Sequence, residues 1–325
     1  MKSKLNIPLL RCLNQQIISQ QYPSPEQVLL WLGMMQAQSF SSAKEALALR
    51  IKSTSNTQSG IKKVEKALND GSILRTHVLR TTWQFVSAEN IRWMIDFSHD
   101  RNERFYTSYL RRINIIIKDN EYELAFKAFQ ELLQGNLSMT KAELIQKFTH
   151  LGLPNDSRRM QGYIWMAENQ SILCSGKMNG TNSTYALMDE RVPSQETISK
   201  EEALSRLARI YFRGHGPAKP EDFQWWAGIS KRKTQTGIDS IQHELLQSGD
   251  YFYHKECRTQ GVLSGKRCLL PAYDEYIIGY ADRTDILPKD LEHHCYTRNG
   301  LFFPTYMEDG QIVGSIRSGK DNIFR

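Results

Sequence analysis

The sequence contains no apolar run approaching the ~20 residues that a membrane-spanning helix needs. Its amino terminus, MKSKLNIPLLRCLNQQ, starts basic but has neither a sustained apolar core nor a small-residue cleavage site. No secretory signal is therefore expected, and the cytoplasm is the expected compartment. Cysteine is scarce and scattered: Cys12, Cys174, Cys257, Cys268 and Cys295 are five in number and never form a CxxC pair. A disulfide framework and a zinc or iron–sulfur site are therefore not expected. His293, His294 and Cys295 are adjacent, a spacing that does not wrap a metal, so a surface loop is expected there. The GxSxG, HExxH and P-loop signatures are missing as well. No metal and no cofactor are called for.

What is present is ordinary in bulk. Hydrophobic residues make up 40% and charged residues 24% of the chain, as in soluble globular proteins. A length of 325 residues allows several small domains in series. The net charge is +7, with a pI near 9.0. A basic balance is compatible with a polyanionic partner, since each cation placed on a phosphate releases a counterion. Where the charges lie decides more than their sum.

Helix signals open the chain. Ser24-Pro25-Glu26-Gln27 combines a capping serine, a proline at the first helical position and a glutamine three residues after the cap. Ser42-Ala43-Lys44-Glu45 is a second capping box. Gln36-Ala37-Gln38 therefore falls at the joint between two helices. A third helix is expected over Gly60–Asn69, extended structure from Ile73 to Ser87, and helices again from Ala88 to about Leu133. Thr140 then opens a helix, Gly152-Leu153-Pro154 makes a turn, and Ser157 caps a helix carrying Arg158 and Arg159. Strands at Ser171–Cys174 and Ser183–Leu187 flank a turn-rich stretch from Gly176 to Asn182. Helix, turn, helix and hairpin is the order of a winged-helix unit.

The order recurs downstream. A helix is expected over Glu201–Phe212, a turn at Gly214–Pro217, a short helix from Pro220 to near Gly228, a longer helix capped by Ser230 and running to Leu246, and a strand over Gly249–Cys257. From Gly261 onward the runs Cys268–Tyr280, Gly300–Tyr306 and Gln311–Ile316 read as short β structure. Strand signals continue to the last residues, so a further C-terminal piece is expected. The fold class that results is α+β, with tandem winged-helix units followed by a small β-barrel or sheet. The expected segments are residues 1–135, a helical unit with the glutamine pair; 136–195 and 196–258, two winged-helix units; and 259–325, a β-rich region.

Candidate functional residues follow from this layout. Gln36 and Gln38 would point about 200° apart on a regular helix, but at a helix end both can turn into one cleft. An amide orients a water without being a strong base; equally, the pair can be two polar residues closing a helix. Arg158, Arg159, Lys231, Arg232 and Lys233 stand at the starts of second helices, where such units contact phosphates and grooves, or they form solvated helix faces. Asp274 and Glu275 offer paired carboxylates for acid–base work, or turn and ion-pair contacts. His215 lies between two glycines and suits a functional loop or turn packing. Trp83, Trp225 and Trp226 read as core aromatics rather than base-stacking platforms.

Several segments together resemble one family. Gln36-Ala37-Gln38 resembles the Gln-x-Gln motif of the AlkZ-like (YcaQ-type) bacterial DNA glycosylases. Residues 79–89, LRTTWQFVSAE, are similar to that family's Leu-Arg-x-Thr strand. Residues 214–229, GHGPAKPEDFQWWAGI, and 269–283, LLPAYDEYIIGYADR, are similar to its Gly-Pro-Ala and Leu-Leu-Pro-x-x-Asp-Glu-Tyr segments. The resemblance covers nearly the whole chain. It implies tandem winged helices with a β-barrel, and a monofunctional enzyme acting without a cofactor, as a monomer, on double-stranded DNA carrying alkylated bases. The reaction implied is hydrolysis of the N-glycosidic bond of N-alkylated bases such as N7-alkylguanine, extending in some members to interstrand crosslinks. Gln36 and Gln38 would then position the water, with Trp83, Asp274 and Glu275 as possible supporting residues. Gln84 stands where many members have histidine, so no role of that histidine carries over. The alternative from the winged-helix pattern alone is a non-enzymatic DNA-binding regulator; the glutamine pair and the long β-rich end favour the enzyme.

Overall fold

The computed structural model describes residues 5–52, 56–154, 156–180, 182–317 and 323–324, the last two as backbone only. The basic start at residues 1–4 and Thr181 of the expected turn lie outside the described residues. The chain is a mixture of helices and small antiparallel sheets. It divides into two compact units, one made of Met1–Val64 with Ser199–Arg325 and the other of Glu65–Ile198. Among the described residues no helix is long and apolar enough to cross a membrane.

The first unit begins with helix Ile7–Asn14, capped by the Asn6 side chain. Helix Pro25–Leu32 follows, where the Ser24 side chain accepts from the Gln27 amide. Gly33 ends that helix at φ 83°, and a Cβ there would meet Ile210 Cγ2 at 2.6 Å. Only glycine tolerates both the left-handed backbone and the close approach. The chain then extends as the short strand Met34–Gln36, all three residues buried. The joint between two helices is thus a strand rather than a bare helix end. Helix Phe40–Arg50 starts behind Ser39, so the Ser42 box lies inside the first turn, its serine sharing a hydrogen bond with Ser39 Oγ at 2.8 Å.

After the second unit the chain returns as helix Lys200–Gly214, capped by Ser199. Helix Pro220–Ala227 closes on Gly228 in the left-handed conformation, and helix Lys231–Ser240 is capped by Ser230. The last helix is shorter than its sequence pattern, because residues 245–254 form a two-stranded hairpin, Leu245–Ser248 against Tyr251–His254, turning at Gly249 with φ 58°. Strands Arg267–Leu270, Thr305–Glu308, Gln311–Ser315 and Ile323–Phe324 form an antiparallel sheet in the open order 323–324, 311–315, 305–308, 267–270. A sheet, not a closed barrel, is what this region holds among the described residues. The run after Leu270 also differs from its β reading: Asp274 caps a helical turn, Glu275–Ile278.

Helix Thr57–Asp70 leads into the hairpin Ile73–Val78 and Thr82–Ser87 of the second unit, turned by left-handed Leu79 and Thr81. Helices Ala88–Arg112 and Asp119–Leu133 follow as separate elements. Helix Lys141–His150 carries a complete capping box between Thr140 and Glu143. Helix Ser157–Asn169 is capped by Asp156 rather than Ser157, its carboxylate accepting from the Arg158 and Arg159 amides at 3.1 and 3.0 Å. Strands Met139–Thr140, Thr184–Leu187 and Leu173–Ser175 pair in that order. Phe129, Phe148 and Tyr163 stack in the core, with ring centroids 5.1 and 6.0 Å apart along that series. Truncating one such buried ring costs ~3–5 kcal/mol, and Leu173 and Tyr185 of the strands belong to the same core.

All five cysteines are unpaired with one another. Burial pushes the Cys12, Cys174, Cys257, Cys268 and Cys295 thiols up to about 12, so they are protonated and unreactive near neutrality.

Candidate functional site

Gln36 is the last residue of the short strand and is 8% exposed, whereas Gln38, two residues on, is exposed. Gln38 lies beyond the end of the strand, so neither strand alternation nor a helical turn sets its direction relative to Gln36. The strand ends at Gln36, and the chain turns into helix Phe40–Arg50.

A carboxyl group from far along the sequence reaches this strand. Glu275 Oε2 accepts the Gln36 backbone N–H at 3.4 Å. Its other oxygen accepts Trp226 Nε1 at 3.0 Å and lies 3.1 Å from His215 Nε2. Glu275, His215 and Trp226 are all fully or almost fully buried. Gly279 keeps this cluster tight: a Cβ there would stand 3.1 Å from both Glu275 Oε1 and His215 Cδ2. The His215 ring stacks on Tyr211 at 4.8 Å, with an interplanar angle of 13°. Of the two roles open to His215, the structure gives it a buried one, against Glu275.

The neighbouring carboxylate does different work. Asp274 takes a two-pronged ion pair from Arg50, with Nη1 at 2.9 Å and Nη2 at 2.7 Å, both side chains fully buried. Burial opposes the charge on Arg50, but Asp274 outweighs it and raises its pKa above the ordinary value. Arg50 ends the helix that follows the glutamines, so this pair ties both ends of that segment to the 274–275 turn. Arg50 Nη2 also donates to Gln15 Oε1 at 3.2 Å, and Gln15 donates to Tyr280 Oη at 2.9 Å. Removing one partner from such a buried pair costs ~3–5 kcal/mol, because the other charge is left alone. Asp274 and Glu275 thus reach the glutamine segment through Arg50 and the Gln36 backbone N–H.

The expected DNA-facing cations are distributed over both units. Lys231, Arg232 and Lys233 are exposed in the first turn of their helix in the first unit. In the second unit Arg158 is exposed, but Arg159 is engaged: its Nη1 donates to Glu121 Oε1 at 2.5 Å and to the Ile116 carbonyl at 3.1 Å. Trp83 is half-buried opposite His77 on the hairpin, their rings 3.8 Å apart, with the Arg75 guanidinium 4.2 Å from the Trp83 ring. Gln84 is buried and donates to Thr82 Oγ1 at 2.7 Å. Trp226 is a core residue, but Trp225 is 46% exposed, contrary to its reading as a core aromatic.

Sequence reasoning missed Arg50, Gln15 and the His77–Glu168 pair, whose Nδ1 and Oε2 lie 2.9 Å apart. Nothing in a single sequence distinguishes a buried arginine at a helix end from a solvated one. The position of Arg50 within the apolar run AlaLeuAlaLeuArgIle was the one available signal.

The sequence matches the family model described as DNA glycosylase AlkZ-like over residues 29–322. Among solved structures the chain is similar to the Streptomyces sahachiroi DNA glycosylase AlkZ, with a TM-score of 0.76 and 19% identity, over 95% of this chain and 86% of that one. At that identity the likeness is one of fold. No curated protein sequence gives a significant match.

Proposed function

This chain belongs to the AlkZ-like DNA glycosylase family, and from that premise we propose that it removes N-alkylated, cationic bases such as N7-alkylguanine from double-stranded DNA by hydrolysis. Gln36 and Gln38 hold the attacking water. The reading extends to the fold: helices Lys141–His150 and Ser157–Asn169 with their hairpin, and the helices over 200–240 with theirs, serve as winged helices within segments 136–195 and 196–258. Arg158, Lys231, Arg232 and Lys233 supply phosphate contacts.

The chemistry asks little of the protein. Alkylation at N7 leaves the purine positively charged, so it departs as a neutral base without prior protonation. What remains is to place a water near C1′ and to stabilise an oxocarbenium-like state. Two amides accept from and orient a water without being strong bases. A monofunctional course needs no Schiff-base lysine. The observation that carries this reading is the Gln-x-Gln segment itself: the Gln36 backbone N–H donates to the buried Glu275, Gln36 is 8% exposed, and Gln38, two residues on, is exposed.

The test is base release from duplex DNA carrying a single N7-methylguanine, under single turnover. The expected result is free methylated base and an intact strand that breaks only on later treatment with alkali, with no protein–DNA adduct trapped by borohydride. Uracil, a neutral leaving group, is released much more slowly. Release of uracil faster than N7-methylguanine would overturn the proposed mechanism.

A further inference from the structure

A second group of residues in the first unit has no part in the reaction described above. Arg283 lies at the centre of three aromatic rings, its guanidinium carbon 5.0 Å from the ring centroid of Tyr296, 5.5 Å from Phe302 and 5.7 Å from Trp225. Tyr296 and Phe302 stack at 5.1 Å with an interplanar angle of 27°, and Tyr273 stands 5.9 Å from Phe302. The group is not a sealed core. Trp225 is 46% exposed, Leu301 beside Phe302 is 53% exposed, and the other members are partly exposed.

The group is also built onto the element that holds the glutamines. Arg283 Nε donates to the Ile277 carbonyl at 2.8 Å, and Trp225 Nε1 donates to the Ile278 carbonyl at 3.0 Å. Both thus cap the end of helix Glu275–Ile278, whose first residue holds Gln36. Tyr273, just before it, has a left-handed backbone at φ 60°. That conformation is uncommon for a bulky residue and persists only where its surroundings enforce it.

Resting on the glycosylase reading, we propose that Trp225, Tyr296 and Phe302 around Arg283 form a stacking platform for an unpaired, uncharged base of the DNA strand. Exposed aromatic faces with an interleaved arginine are the means by which proteins hold unstacked nucleotides irrespective of sequence. The central cation selects among the bases. It repels a positively charged alkylated base, and it favours a neutral base with its neighbouring phosphate. Because the platform caps the Glu275 helix, a base stacked there bears on the element that fixes Gln36.

The experiment follows tryptophan fluorescence of the full chain titrated with single-stranded oligothymidylate, alongside a fully paired duplex of equal length. The expected result is quenching by oligothymidylate, with Trp225→Ala and Phe302→Ala each weakening that binding by about tenfold, the scale of one lost base stack. Trp225→Phe, which keeps a ring, restores most of the affinity. Because Trp225 also bonds the Ile278 carbonyl, Phe302→Ala provides the variant that breaks no side-chain hydrogen bond, and melting curves accompany both. Variants that bind oligothymidylate as tightly as the parent overturn the platform, as does a parent chain that shows no quenching. Release of N7-methylguanine is measured on the same parent preparation. Quenching without base release supports the platform and sinks the glycosylase reading; base release without quenching does the reverse.

Discussion

The Glu275 carboxylate accepts the backbone N–H of Gln36 at 3.4 Å while its other oxygen holds Trp226 at 3.0 Å. A buried carboxyl group 239 positions away along the chain thus contacts the strand that carries the first glutamine. An amide at the same place has one accepting oxygen where the carboxylate has two, so both donors cannot be served. Glu275→Gln should slow single-turnover base release by roughly tenfold, the rate equivalent of one lost buried hydrogen bond. Affinity for undamaged duplex should stay as it was. A variant with an unaltered rate would remove Glu275 from the support of the site.

The two arginines at positions 158 and 159 should behave differently, although they are neighbours in sequence. Arg159 is tied to Glu121 and the Ile116 carbonyl, whereas Arg158 is exposed. Arg158→Ala should weaken duplex binding equally across sequences and reduce the slope of log affinity against log salt by about 1, with little change in melting temperature. Arg159→Ala should chiefly lower the melting temperature. Salt titrations and melting curves of both variants check this. Equal salt slopes for Arg158→Ala and the parent would take that residue out of the interface.

Acid should find one weak point in the first unit. Glu244 accepts two hydrogen bonds from Arg209, at 2.7 and 2.8 Å, and lies 2.9 Å from His254 Nε2. The bonds from Arg209, against the upward push of burial and with help from His254, hold the Glu244 carboxyl down to about 2, from an ordinary 4.5. A carboxyl depressed in the folded state binds fewer protons there than in the unfolded chain between those two values. Its stabilisation is complete above pH 4.5 and disappears as pH falls through about 2. Glu244→Gln should melt below the parent at neutral pH, with the gap closing as pH drops below 4.5. A gap of constant size down to pH 2 would contradict the assignment.

Much of the helical framework was legible because its signals are local. Ser24 with Pro25, Thr140 with Glu143 and Ser230 each mark a helix start by satisfying amides a few residues on. The strand Met34–Gln36 was not legible: three buried residues have no period to read, and tertiary contacts such as that to Glu275 fix their backbone. The same reason hid the helical turn at Glu275–Ile278 inside a β-rich run, and the break after Ser240, where the hairpin at Gly249 overrides helical periodicity. Gln36, Asp274 and Glu275 could be picked out as residue types, but that Glu275 holds Gln36 while Asp274 holds Arg50 depends on partners more than two hundred positions away.

The most direct test of the account is the single-turnover rate of N7-methylguanine release by Gln36→Ala and Gln38→Ala, measured with duplex affinity and melting temperature. If the two amides hold one water, each variant should lose on the order of 10²-fold in rate while still binding DNA and melting as the parent does. The double variant should lose less than the product of the two single effects, since both groups serve the same water. Full excision rates in both single variants, at unchanged melting temperature, would contradict the water-positioning role of the glutamine pair.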